Sequence, residues 1–206
     1  MTSVKDVKKL EIFARATLPT QFGEFQIVAF TDGTTRIEDV ALIRGELEGR
    51  ENVPTRLHSE CVTGDVFHSL RCDCRQQLES AQRHFSELPE AIILYMRQEG
   101  RGIGLANKVA AYELQENGYD TVDANLHLGF DDDLRSYDTA AAMLNALGVA
   151  SINLYTNNPR KIKGLEEYGI RIAHREPIVI QPNPYNDRYL RTKQEKSGHL
   201  LNFKEE

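Results

Sequence analysis

Apolar and polar positions alternate through "EFQIVAF" (24–30) and run almost unbroken through "VALIRGEL" (40–47), and "TDGT" between them reads as a turn, so the first part of the chain is strand-rich. From about residue 60 the pattern changes and helices take turns with strands. "RQQLESAQRHFSEL", just after Cys74, repeats Leu78, Ala81 and Phe85 at helical spacing, and "AIILYM" (91–96) is a short strand of the buried type. A loop, "RQEGRGIG", leads into the helix "LANKVAAYELQEN", which Gly118 ends. "DTAAAMLNAL" starts a helix capped by Asp138 and stopped by Gly148, "SINLYT" is a strand, and "NNPRKIKGLEEYG" opens a helix with Asn158 as cap and Pro159 in its first turn. No repeat, low-complexity tract or Pro/Ser-rich linker interrupts the chain. The pattern predicts an α/β fold: one domain over residues 1–206, its core at about 10–200, with a mixed sheet, flanking helices and a β-rich N-terminal part.

Composition narrows the class. With 206 residues, 40% apolar and 27% charged, the chain can bury a core of ordinary size. A net charge of −6 disfavours a protein that lives on nucleic-acid backbone, so an anionic ligand must be met by a few local cations. No apolar run approaches the roughly 18 residues of a membrane span. "MTSVKDVKKLEIFA" has no apolar stretch suited to a secretory signal, and the expected compartment is the cytoplasm.

All three cysteines fall within "CVTGDVFHSLRCDC" (61–74). In a reducing cytosol they do not pair, which leaves small buried hydrophobes or metal ligands. Cys72 and Cys74 are two residues apart, and on a helix such positions diverge by about 200°. Both sulfurs can face one ion only where the helix has not begun, at its positive end, where thiolates are favoured. Three sulfurs suit an open, catalytic zinc site; His58 or His68 as fourth ligand would close it into a structural one.

Four polar clusters stand where α/β folds gather ligands, at strand ends and helix starts. "RQEGRGIG" offers glycines for close backbone approach and Arg101 for an anion, but lacks the third glycine of a dinucleotide fingerprint, since Leu105 or Asn107 stands there. "RLHSEC" leads Arg56, His58, Ser59 and Glu60 into the first cysteine; taken alone it reads as an edge strand with solvated polar residues. "LGFDDDLRSYD" sets acids around Arg135 before a helix, where caps and dipole chemistry also put them. "TNNPRKIKG" puts Thr156, Arg160 and Lys161 at a helix start, as a phosphate site or a solvated basic face.

Together, "RLHSECVTGDVFHSLRCDC", "RQEGRGIGL", "GYDTVDAN", "LGFDDDLRSYD" and "LYTNNPRK" resemble, in order and spacing, the motifs of the GTP cyclohydrolase II family, which opens riboflavin biosynthesis. The resemblance implies hydrolysis of GTP to 2,5-diamino-6-ribosylamino-4(3H)-pyrimidinone 5′-phosphate, formate and pyrophosphate. It makes Cys61, Cys72 and Cys74 the ligands of one zinc per chain. It gives Arg56, Leu57, His58, Ser59, Glu60, Gln77, Glu99, Gly100, Arg101, Thr121, Thr156 and Lys161 contacts to GTP, with magnesium on the phosphates. Arg135 becomes the nucleophile at the α-phosphorus and Asp133 its proton acceptor. A guanidinium whose pKa exceeds about 12 can equally act as a clamp on phosphate charge. Tyr112 matches an active-site tyrosine. A cytoplasmic homodimer is the implied state, with no nucleic-acid polymer and no membrane as partner.

Two positions depart from many relatives: Arg75 stands where glycine is frequent, and Ser136 where an acid is. Other functions compatible with the motifs are a relative that opens the ring but keeps the formyl group, which Tyr112 disfavours, and a nucleotide-binding zinc protein without turnover, which Asp133 and Arg135 disfavour. The chain is too short to carry a dihydroxybutanone phosphate synthase domain as well.

Overall fold

The computed structural model describes residues 4–131 and 133–200, the side chains of Thr121, Arg188, Lys196 and Ser197 excepted. Asp132, in the acidic cluster before Arg135, therefore lies outside the described residues. Contacts along the chain divide it into two compact units. The first comprises residues 1–58, 79–96 and 136–178, the second 59–78, 97–135 and 179–206.

The strands form one seven-stranded mixed sheet: β1 (Glu11–Thr20), β2 (Gly23–Thr31), β3 (Arg36–Arg44), β4 (Val53–Ser59), β5 (Ala91–Met96), β6 (Ile152–Tyr155) and β7 (Ile172–Glu176), in the order β1-β2-β3-β5-β4-β6-β7. β1, β2, β3 and β5 pair antiparallel, while β4, β6 and β7 pair parallel. The alternating and continuous apolar runs read from the sequence are β2, β3 and β5. The turn at Asp32 is closed by its carboxylate, which accepts from the amides of Thr34 and Thr35 and from the Thr34 hydroxyl. β5 is apolar throughout because it is interior. Ile92, Leu94 and Met96 join the core, and Ala91 and Ile93, on the other side of the pleat, are buried as well.

The helices are α1 (Cys74–Ser86), α2 (Leu105–Glu116), α3 (Thr121–His127), α4 (Asp138–Ala146), α5 (Pro159–Glu166) and α6 (Asp187–Ser197). Among the described residues no helix is long and apolar enough to cross a membrane. The expected cap of α5 is present, Asn158 Oδ1 accepting from the Arg160 amide at 2.9 Å. Asp138 is not the cap of α4. It is the first helical residue, Tyr137 holds the cap position, and the Asp138 carboxylate instead accepts from the Ser136 hydroxyl at 2.6 Å.

"RLHSEC" is not on an edge strand. β4 lies between β5 and β6, and Thr55, Arg56, Leu57 and His58 are all buried on it. The core of this unit joins Val28, Phe30, Ile43 and Leu57 from the sheet to Met143, Leu144 and Leu165 from α4 and α5.

α5 packs closely enough on Tyr137 that Gly164 leaves no room for a methyl group, since a Cβ there would stand 2.1 Å from the ring Cδ2. Alanine is the better helix former by about 1 kcal/mol. The buried ring cannot yield that distance without displacing α4 or α5, so the steric term wins. Gly164→Ala is expected to lower stability by about 1–3 kcal/mol, measured as a shifted urea midpoint at unchanged slope; equal or greater stability would contradict this packing.

Candidate functional site

In the first unit, β4 and β6 run parallel and end near the start of α5, the location favoured for ligands. Arg56 Nη1 donates to the Tyr155 carbonyl at 2.9 Å. His58 stacks on Tyr95 with ring centroids 5.4 Å apart. The Leu57 side chain is in the core, and its carbonyl accepts from Lys161 Nζ at 2.7 Å. Thr156 Oγ1 accepts from the Asn158 amide. Lys161 is 5% exposed, so "TNNPRKIKG" is no solvated basic face at that position, although Arg160 is exposed. Arg56, Leu57, Thr156 and Lys161 are thus brought together.

The second unit holds the cysteines. Residues 62–66 form a single π-helical turn, in which the Asp65 carboxylate accepts from the Cys61 amide and the Cys61 carbonyl from the Asp65 amide. α1 begins at Cys74, so Cys72 lies ahead of the helix, and both sulfurs can face Cys61. The three Sγ atoms lie within 4.8 Å of one another, with Cys61 and Cys72 at 3.6 Å. A tetrahedral zinc with bonds of about 2.3 Å spaces its sulfurs at about 3.8 Å, so the cluster fits that ion. Gly64 makes the space: a Cβ there would stand 2.8 Å from Cys72 Sγ and 3.1 Å from Cys61 Sγ. No histidine joins the cluster among the described residues, and His68 instead contacts Arg75 through its Nε2. Arg75, the departure at this turn, also donates to the Asp65 carbonyl and so ties the π turn to α1.

The electrostatics fit a cation. Hydrogen bonds from Cys72 and Cys74, with Lys108 nearby, hold the Cys61 thiol far below its ordinary range. The same hydrogen bonds to Cys61, with burial, push Cys72 up to about 11 and Cys74 well above the ordinary thiol. One anion is tolerated by the protein alone; a bound dication lets all three ionise.

Sequence reasoning missed Lys108. Its Nζ donates to Cys61 Sγ at 3.1 Å and to Glu99 Oε1 at 2.7 Å. Burial disfavours its charge, but the Cys61 sulfur and Glu99 outweigh this and raise its pKa. Glu99 Oε2 accepts from the Val62 amide at 2.6 Å and Oε1 from the Gly100 amide at 2.8 Å, so this buried carboxylate joins the π turn, the glycine loop and α2. Tyr112, one turn after Lys108, places its hydroxyl 3.2 Å from Thr63 Oγ1, which is 3.6 Å from Cys61 Sγ. Glu116, another turn on, pairs with Arg71, whose guanidinium covers the Tyr112 ring. The i, i+4, i+8 series of polar residues on "LANKVAAYELQE" was the available signal, hidden because their partners are distant in sequence.

Around Arg135 the guanidinium is bidentate on Asp133, with Nε to Oδ1 at 2.8 Å and Nη2 to Oδ2 at 2.6 Å, and Nη1 reaches Ser59 Oγ at 3.3 Å. Burial opposes the Asp133 charge, yet Arg135 keeps its carboxyl below the usual range. Ser59 Oγ also accepts from Gln98 Nε2. The Arg101 carbonyl accepts from the Leu134 amide, which brings the glycine loop to the Asp133–Arg135 segment. Glu60 faces Arg97 at 3.7 Å, and Gln77 Nε2 donates to Asp73. Thr121 is the first residue of α3, and its side chain lies outside those described.

Residues 11–177 match the family model described as GTP cyclohydrolase II. A GTP cyclohydrolase-2 of Picrophilus torridus is 47% identical over 93% of this chain and its own full length. Riboflavin biosynthesis proteins RibBA of Endomicrobium trichonymphae and Staphylococcus haemolyticus are 55% and 51% identical over 89% and 93% of this chain, but over 46% and 48% of their own. The chain thus spans about half the length of these two longer relatives and all of the Picrophilus protein. With a family-model match over residues 11–177 and a GTP cyclohydrolase-2 aligned over its full length, this chain belongs to the GTP cyclohydrolase II family.

Proposed function

We propose that this chain hydrolyses GTP to 2,5-diamino-6-ribosylamino-4(3H)-pyrimidinone 5′-phosphate, formate and pyrophosphate, the first step of riboflavin biosynthesis. The observation that carries the reading is the three-sulfur cluster with room for one ion and no histidine to close it among the described residues. Cys61, Cys72 and Cys74 would hold zinc, which when bound supplies an acidified water for hydrolysis at C8 of the purine. Tyr112, linked to Cys61 through Thr63, orients that chemistry with its hydroxyl. It stays protonated, because burial raises its pKa.

The remaining residues recognise the nucleotide. Arg56, Arg101, Thr156 and Lys161 supply cationic and hydroxyl donors for phosphate, with magnesium on its oxygens. Glu99 and Gln77 supply acceptor oxygens for guanine N–H groups. Leu57, His58, Ser59, Glu60, Gly100 and Thr121 complete the contacts that the family motifs imply. A cytoplasmic homodimer belongs to the same reading.

Arg135 acts as a clamp on the phosphate charge that develops as pyrophosphate leaves. To become a nucleophile it must give a proton to Asp133. An ordinary arginine and aspartate differ by about 9 pKa units, or about 12 kcal/mol, against that transfer. The bidentate pairing, which lowers the Asp133 pKa, makes this carboxylate a still weaker base. Its supported role is to hold the guanidinium in place.

The reading is tested by supplying GTP and magnesium to the zinc-loaded protein and following formate, pyrophosphate and product mass; a product that keeps the formyl carbon would overturn the assigned activity. Cys72→Ser is expected to abolish stoichiometric zinc and formate release together. Full formate release from protein shown to be metal-free would sink the ligand assignment. Arg135→Lys is expected to keep measurable turnover with a loss of about 10² to 10³, and rapid quench with α-labelled GTP should show no labelled protein. An adduct that forms and decays at the turnover rate would establish the nucleophile instead.

A further inference from the structure

Asp73 stands between two of the cysteines and is itself 2% exposed. One carboxylate oxygen accepts from Gln77, and the other faces Lys193 Nζ at 3.3 Å. Lys193 comes from α6, 120 positions later in the chain, and its ammonium also lies 4.1 Å from the centre of the Tyr189 ring. The lysine side chain is only 13% exposed, so the pair is shielded from water on both sides.

A second attachment lies ten residues earlier. Asn183 Nδ2 donates to the Leu70 carbonyl at 3.4 Å, and its Oδ1 accepts from the amides of Tyr185 and Asn186, which fixes the chain's entry into α6. α6 and its lead-in thus hold the cysteine loop at Leu70 and at Asp73, on either side of Cys72. The match to the family model ends at residue 177, before this helix begins.

Without its lysine, a buried carboxylate loses its countercharge and can be stabilised only by turning toward water. Asp73 cannot turn far without moving the peptides on either side of it, and those peptides carry two sulfurs. We propose that Lys193 is a positioning residue of the metal centre, holding Cys72 and Cys74 in ligating geometry through Asp73, so that metal occupancy and the docking of α6 are coupled. The inference rests on the reading of the cysteines as ligands. Coupling of this kind is reciprocal: if α6 strengthens metal binding, metal must hold α6 in place by the same factor.

The test uses the full chain and two readouts that do not involve turnover: zinc affinity by chelator competition, and the rate of tryptic cleavage after Arg191 on the exposed side of α6. Wild type should bind one zinc and be cleaved more slowly with it. Lys193→Met should bind zinc about 10- to 100-fold more weakly and lose the zinc-dependent protection. Lys193→Arg should recover most of both, and Glu195→Gln, on the exposed surface of the same helix, should match wild type. Asp73→Asn combined with Lys193→Met should bind zinc no more weakly than Lys193→Met alone, since both act through one contact. Wild-type affinity in Lys193→Met overturns the proposal, as does cleavage of the wild-type helix that zinc does not slow. The second result decides the matter even if Lys193→Met fails to fold. If wild type itself takes up no zinc, the ligand assignment falls first and this inference with it.

Discussion

Three sulfur atoms held within 4.8 Å cannot all be anionic unless a cation stands among them, and the second unit is arranged around that electrostatic constraint. Gly64 leaves the space for an ion. Lys108 reaches the Cys61 sulfur, and its second partner, Glu99, anchors the π turn and the glycine loop. Asp73, which would add another negative charge beside the sulfurs, is countered by Lys193. Glu99 and Asp73 are thus each paired with a lysine. The thiols are left as the group that a dication would complete.

The same logic of pairing distinguishes the Asp133–Arg135 segment. Here the charges are matched within two residues, with the fork geometry that only a guanidinium provides. Ser59 meets Arg135 and Gln98 with one hydroxyl, so the strand end, the glycine loop and the acidic segment share a small polar junction. The first unit contributes a different chemistry at the ends of its parallel strands. Lys161 there is buried against a backbone carbonyl, and Arg56 bonds another.

Elements that depend on local pattern were legible in the sequence. β5 was bounded residue for residue by its apolar run, and α5 by Asn158 and Pro159. The convergence of the cysteines followed from their spacing and the helix start. Features set by distant partners were not legible. "RLHSEC" looked like a solvated edge because nothing in those six letters reveals that β5 and β6 flank it. Asp138 looked like a cap because Ser136 as a competing partner is weighed only in three dimensions. Lys108 was not singled out, because its sulfur and carboxylate partners lie 47 and 9 positions away in the sequence.

The loop "RQEGRGIG" carries a last consequence. Gly100, Arg101 and Gly102 have φ values of 62°, 62° and 95°, all in the left-handed region, and the middle residue is not glycine. For an arginine that backbone costs roughly 1–2 kcal/mol, and the cost falls at a position whose side chain the family motif assigns to substrate. What the peptide backbone prefers at 101 and what the proposed anion recognition requires there point to different amino acids. Of these three residues the backbone strain is stored at the arginine alone, where a glycine would relieve it.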